Sequence, residues 1–99
     1  MYREHVRAHL KNGAMPEGMA VAREITDYVS RKYDISVQTY AQPYGEAGVI
    51  HWMADYPDLA AVEKVETETL GDRDYWALVK KIGNLTIDGS TTFVLLRAI

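Results

Sequence analysis

The sequence predicts one α+β domain, built from a four-stranded antiparallel sheet and two helical segments. In some stretches apolar and polar residues alternate, which is typical of strands; in others apolar residues recur every three to four positions, which is typical of amphipathic helices. The chain has 99 residues, 47% of them hydrophobic, and no cysteine. This length fits one modest core without disulfides, so a single domain over residues 1–99 is expected.

The first half of the chain predicts a strand, a helix and a second strand. In Tyr2–Leu10 the even positions are apolar, with Glu4 as the exception, and the odd positions are Arg3, His5, Arg7 and His9. This period of two predicts a strand. After Asn12-Gly13, apolar residues at helical spacing from Met19 to Tyr33 predict a helix, and Pro16 fits its first turn. Residues 35–42 alternate again and predict the second strand.

The second half predicts a strand, a broken helix and a closing strand. A Gly-rich turn at residues 44–48 leads into a third strand, Val49–Ala54, so the second and third strands form a hairpin. Residues 55–58 predict a helix start with Pro57 in the first turn, and Gly71 interrupts that helix. The apolar face before the break consists of Leu59, Val62, Val65 and Leu70. After it, Asp72 caps a further helix with an inward face of Tyr75, Leu78, Val79 and Ile82, and Gly83 suits its end. Residues 91–99 predict the last strand.

This order of elements, β-α-β-β-α-β, predicts a ferredoxin-like fold in which both helical segments cover one face of the sheet. The other face must then meet solvent, a ligand or a partner. We expect Val37, Val49, Met53 and one of the rows Val94/Leu96 and Phe93/Leu95 to stand on that face. Because an apolar patch on a monomer usually marks an interaction site, we expect a homodimer formed through the sheet face.

Charge and composition argue against several classes of protein. The formal net charge is -3, whereas nucleic-acid binders usually show a basic balance. An RNA-recognition module has the same element order, but its third strand carries a basic–glycine–aromatic signature, and the sequence here is Gly48-Val49-Ile50-His51-Trp52. No window is apolar enough for a membrane span, and residues 1–5 do not resemble a signal peptide. We therefore expect a cytoplasmic protein with no nucleic-acid or membrane partner.

The stretch Val49-Ile50-His51-Trp52, followed by Leu59 and then by Asp72 and Tyr75-Trp76, resembles a known superfamily. It is similar to the dimeric α+β barrel proteins, especially the NIPSNAP-like and antibiotic biosynthesis monooxygenase-like groups. The resemblance implies a homodimer whose two sheets pack face to face. It also implies a pocket between sheet and helices for a flat, hydrophobic ligand. Several such proteins oxidise or cyclise aromatic polyketides without a metal or bound cofactor, so no cofactor is expected.

Two polar rows of the sheet offer candidate catalytic residues. The first strand provides His5 and Arg7, and the second provides Gln38 and Tyr40; His51 could join them from the strand between. Histidine is a plausible base because its ordinary pKa lies near neutrality. These rows could instead form a solvent-exposed face of the sheet or a dimer interface. His5 and His9 would stand about 13 Å apart on a strand, too far to share one zinc ion, so no metal site is expected.

We expect His51, Tyr40 and His5 to be catalytic, and Trp52, Trp76, Tyr75, Gln38 and Arg7 to bind substrate. The aromatic residues could instead be core, a reading that is favoured for Trp52, and only one of the adjacent Tyr75 and Trp76 is expected to face the pocket. The favoured function is cofactor-independent monooxygenase or cyclase chemistry on an aromatic or polyketide-like substrate. The alternative is a ligand-binding or regulatory homodimer without chemistry.

Overall fold

The elements follow one another in the predicted order, with the broken helical segment forming two separate helices. A computed structural model describes all residues from 1 to 99. In chain order the elements are β1 (Tyr2–His9), α1 (Met15–Tyr33), β2 (Ser36–Ala41), β3 (Val49–Tyr56), α2 (Leu59–Leu70), α3 (Arg73–Gly83) and β4 (Thr92–Arg97). None of the helices combines the length and the apolar character needed to cross a membrane.

The four strands form one antiparallel sheet in the order β2-β3-β1-β4, the ferredoxin-like arrangement. In the central pair, Val6 lies opposite Trp52, and Arg7 lies opposite His51. Even positions of β1 and β3 therefore face the helices, together with odd positions of β2 and β4. We call the opposite side, which no helix covers, the open face.

Side-chain caps fix where α2 and α3 begin. The Asp58 carboxylate accepts a hydrogen bond from the Ala61 N–H at 2.8 Å, and the Asp72 carboxylate accepts one from the Tyr75 N–H at 3.1 Å. Each cap satisfies a backbone donor that has no partner within its helix. The break at Gly71 and the cap at Asp72 thus fix where α2 ends and α3 begins.

The buried apolar residues form two clusters. The larger one joins β1, α1, β3 and α3 and contains Ala8, Leu10, Val21, Ala22, Ile50, Trp52 and Ile82. The smaller one joins the far end of β3 to α2 and contains Ala54, Tyr56 and Val62.

Several predicted boundaries and faces were wrong. Strand β3 continues to Tyr56, which is 3% exposed and pairs with Tyr2, so Pro57 precedes the Asp58 cap and does not lie inside α2. Helix α1 begins at Met15, so Pro16 lies in its first turn as predicted.

The sheet faces also need correction. Val37 lies opposite Ala54 on the helix-covered side and packs on the smaller cluster, whereas Val94 and Leu96 stand on the open face. Val49 is on the open face but fully buried. In α2, Val62 is buried, but Leu59 and Leu70 remain exposed.

Candidate ligand-binding site

A cavity of about 580 Å³ lies between the helix-covered side of the sheet and the helices. Residues from both core clusters line it, so it occupies the gap between them. Of its 22 lining residues, 16 are hydrophobic, and the aromatic ones are Trp52, Tyr56, Tyr75, Trp76 and Phe93. A concave apolar site of this size suits a small hydrophobic molecule.

The two tryptophans contribute to the cavity in different ways. Trp52 is 9% exposed, so its ring is packed into the floor, and its indole N–H makes a long contact of 3.5 Å with the Ala22 carbonyl of α1. Trp76 is 47% exposed and packs edge-on against Tyr75, with ring centroids 5.4 Å apart. Tyr75 and Trp76 both line the cavity, although they are adjacent in α3.

Glu4 lines the same cavity from the central strand β1. It is half-buried and has no hydrogen-bond or ion-pair partner in the chain, and its carboxylate oxygens keep some accessible surface. Burial, and to a smaller extent the charge of Glu66, raises the pKa of Glu4 to about 7. The cavity therefore holds a carboxyl group that changes its charge near neutral pH.

A network centred on Asp72 holds the start of α3, where Tyr75 and Trp76 lie. The buried Asp72 carboxylate accepts hydrogen bonds from the Tyr28 and Tyr33 hydroxyls at 2.8 and 2.5 Å, and Lys32 lies 3.0 Å away. Burial by itself would raise the pKa of Asp72, but these donors together with the Tyr75 N–H lower it well below its ordinary range. The same contacts tie α3 to α1.

The open face carries a pair of stacked histidines. His5 Nε2 lies 2.8 Å from His51 Nδ1, and His51 Nε2 lies 2.7 Å from Gln42 Oε1. Because the Gln42 oxygen can only accept, neutral His51 carries its proton on Nε2 and accepts at Nδ1 from His5. Burial, followed by the charges of His5 and Arg7, lowers the pKa of His51.

The remaining charged residues of the open face are mostly paired. Arg3 binds Asp55 on β3 through two hydrogen bonds of 2.7 and 3.0 Å, and Arg7 forms an ion pair with Glu46 of the β2–β3 turn. The Tyr40 hydroxyl donates to Gln38 Oε1 at 2.5 Å. No group of three or more His, Asp or Glu residues is close enough to hold a metal ion.

The sheet therefore divides the predicted site residues into two groups. Trp52, Tyr75 and Trp76 line the cavity. The other five, His5, Arg7, Gln38, Tyr40 and His51, stand on the open face. One small ligand of a single chain cannot contact both groups, because the sheet lies between them. The sequence reasoning missed Glu4 as a site residue, although its signal was visible: it is the only acidic residue in the apolar row of β1.

Comparison with known proteins identifies similar folds. A NIPSNAP domain protein from Burkholderia xenovorans superposes with a TM-score of 0.83 at 15% identity, covering 100% of this chain and 95% of that one. A NIPSNAP family protein from Agrobacterium tumefaciens gives 0.80 at 15% identity, covering 99% and 92%. An antibiotic biosynthesis monooxygenase gives 0.77 at 18% identity, covering 100% and 99%. The chain has the fold of these proteins.

This result confirms the predicted fold class and the resemblance to NIPSNAP-like and antibiotic biosynthesis monooxygenase-like structures. No protein-family model and no curated protein sequence matches the chain. At these identities the likeness concerns the fold alone, so the function has to be argued from the site itself.

Proposed function

We propose that the protein binds a flat, hydrophobic, aromatic or polyketide-like molecule in the cavity between sheet and helices. We further propose that it acts on this molecule as a cofactor-independent monooxygenase or cyclase. The observation that carries the proposal is the cavity of about 580 Å³ with its mostly hydrophobic lining. Its volume lies within the range of small-molecule sites, and its aromatic side chains match a planar ring system.

In this proposal the lining residues orient the ligand. Buried Trp52 provides an apolar surface, and Trp76 lines the cavity while remaining exposed to solvent. Tyr75 adds a hydroxyl to the lining, and burial, with the charges of Glu4 and Asp72, raises its pKa. A protonated phenol in an apolar site can donate a hydrogen bond to a carbonyl or phenolate oxygen of the ligand.

The binding proposal is tested by fluorescence titration with 2-naphthol. We expect saturable binding, and we expect Trp76→Ala to raise Kd roughly fivefold, since one aromatic contact contributes about 1 kcal/mol. Tyr44→Ala is the matched control, because Tyr44 is an aromatic residue 89% exposed in the β2–β3 turn, outside the cavity. Equal effects of the two substitutions would contradict binding in the cavity.

The catalytic proposal needs its own assay. Purified protein is incubated in air with a panel of aromatic phenols and ketones, and products are followed by mass spectrometry with dioxygen uptake recorded in parallel. Conversion above the protein-free control, reduced by Trp76→Ala and unchanged by Tyr44→Ala, supports an enzyme. Binding without any conversion across the panel favours the second candidate.

The second candidate is a ligand-binding or regulatory homodimer without chemistry. One observation favours it: His51, Tyr40 and His5, the residues expected to be catalytic, stand on the open face, opposite the cavity. In this case the open-face histidines would contribute to subunit contact and the cavity would only bind.

Either function is proposed for a homodimer formed through the open face. All six residues of β4 are exposed, among them Val94 and Leu96 on the open face. The open-face charges Arg3 and Arg7 are already neutralised by Asp55 and Glu46. A face with apolar residues and paired charges can be covered by a second copy at a smaller desolvation cost than one with free charges.

A further inference from the structure

We propose that Glu4 is the general base of the cavity and removes a proton from the carbon next to the carbonyl group of a bound aromatic ketone. The proposal rests on the proposed function, since it requires a ligand in the same cavity. It assigns the first chemical step to a residue outside the histidine and tyrosine group that the sequence favoured.

The position of Glu4 sets it apart from an ordinary surface carboxylate. It is the third residue of β1, the strand flanked by β3 and β4, and its side chain is on the helix-covered side. Its register partners are apolar, Ala54 on β3 and Leu95 on β4. A glutamate in such a row costs free energy of folding, because a charged group loses water there without gaining a counter-charge.

Nothing in the chain compensates that cost. No lysine or arginine lines the cavity, and the only other charged lining residue, the exposed Glu66, has the same sign. The carboxylate oxygens of Glu4 have no hydrogen-bond donor, yet they are not sealed in, so a ligand can reach them. A costly, unpaired carboxylate in an apolar cavity is what a catalytic base requires.

The acid–base properties of Glu4 suit this role. With a pKa of about 7, it is a stronger base than an ordinary glutamate and still has a large ionised fraction at neutral pH. General bases work best when their pKa lies near the operating pH. Tyr75 and Tyr56 line the same cavity with raised pKa values, so their hydroxyls remain protonated there.

The step is balanced without an oxidant. The C–H bond next to the carbonyl breaks, its proton moves to a Glu4 oxygen, and its electron pair enters the carbonyl system as an enolate. Return of the proton to the enolate oxygen gives the enol, and return to carbon regenerates the ketone. An aromatic ring beside the same carbon delocalises the charge, which selects ketones fused to aromatic rings as the substrate class.

The test is deuterium exchange at carbon 1 of 2-tetralone in D₂O, followed by NMR, with binding measured separately by tryptophan fluorescence. We expect the protein to accelerate exchange above the buffer rate, with a pH profile that rises through about pH 7. Glu4→Gln keeps the shape of the side chain and should keep binding while slowing catalysed exchange by about 100-fold or more. Glu63→Gln, at an exposed glutamate of α2 outside the lining, should leave the rate of catalysed exchange within a few-fold of that of the original protein.

The outcomes separate this inference from the proposed function. If 2-tetralone binds and Glu4→Gln catalyses its deuterium exchange as fast as the original protein does, Glu4 is not the base and only this inference fails. If neither 2-tetralone nor 2-naphthol binds the original protein, the cavity is not a ligand site and both proposals fail. Thermal unfolding of Glu4→Gln confirms that a slow variant is folded.

Discussion

At the scale of single residues, the charge state of Glu4 links the cavity to stability. Its pKa is 4.5 in an unfolded chain and about 7 in the folded protein, so the folded state binds more protons between these values. The free energy of unfolding therefore falls as the pH rises from about 4.5 to 7, and above pH 7 the full cost of the ionised Glu4 carboxylate is present. His51 acts in the opposite sense: its lowered pKa means that acidification below its ordinary value of 6.5 destabilises the fold.

Glu4→Gln should therefore stabilise the protein in a pH-dependent way. Below pH 4.5 the two proteins should have similar free energies of unfolding, because Glu4 is neutral in both states. Above pH 7 the free energy of unfolding of the variant should be higher by on the order of 2 kcal/mol. This is less than the whole pKa shift would give, because Glu4 is partly exposed and water screens its charge. Urea unfolding at a series of pH values measures this. A difference between the two proteins that does not vary with pH would contradict it.

At the scale of secondary structure elements, the start of α3 decides the shape of the cavity. Gly71 ends α2, and Asp72 both caps α3 and binds α1 through Tyr28 and Tyr33. Tyr75 and Trp76 follow within the first turn, so their place in the cavity depends on this junction.

Asp72→Ala should loosen the junction. It removes the cap and the ion pair with Lys32 and leaves the Tyr28 and Tyr33 hydroxyls without their acceptor, so we expect Tm to fall by roughly 5 °C or more and ligand affinity to weaken. Asp58→Ala is the matched control, because that exposed cap has only the Ala61 N–H as partner and should cost less. Hydrogen exchange at residues 75–77 should quicken in Asp72→Ala alone. An equal fall in Tm in both variants would show that the contacts of Asp72 with α1 do not contribute to stability.

The same network gives a second, pH-based prediction. Because the pKa of Asp72 is lowered in the folded state, its contribution to stability is present above about pH 4 and is lost as the pH falls below that value. Asp72→Asn should therefore reduce the slope of stability against pH in that acidic range, measured by thermal unfolding. A slope unchanged from the original protein would mean that the charge of Asp72 does not stabilise α3.

At the scale of the whole molecule, β4 is the least covered element. It pairs only with β1, and its four consecutive apolar residues Phe93–Leu96 are 38% to 55% exposed on both sides of the sheet. An edge strand with exposed apolar side chains can pair or pack with another chain, and the proposed dimer would cover this strand.

Leu96→Asp should therefore shift the protein from dimer to monomer. The substitution adds a negative charge to the open face next to Arg3, which is already paired with Asp55, so a second copy would have to bury an excess carboxylate. Light scattering at micromolar concentration should give twice the chain mass for the original protein and the chain mass for the variant. Leu59→Asp is the control, since Leu59 is equally exposed but begins α2. A monomeric original protein would overturn the dimer.

The fold was predictable because it depends on local periodicity, whereas the site depends on register. Alternation in β1 and helical spacing in α1 are visible in the sequence, and so is the Asp72 cap. The face that His51 occupies is set by its pairing with Arg7, which brings together residues 44 positions apart and leaves no local trace. The cavity likewise exists only because α2 and α3 leave a gap between two core clusters.

The sheet order has a consequence for how the chain folds. The central strand β1 comes first in the sequence, but its partners come late: Tyr2 pairs with Tyr56 and with Arg97. Pairing over such sequence separations slows folding, since the entropy of closing long loops is lost before the contacts form. The hairpin of β2 and β3 can form early. During synthesis, residues 2–9 must wait for residues 92–97 before the sheet is complete, and until then one edge of β1 stays open.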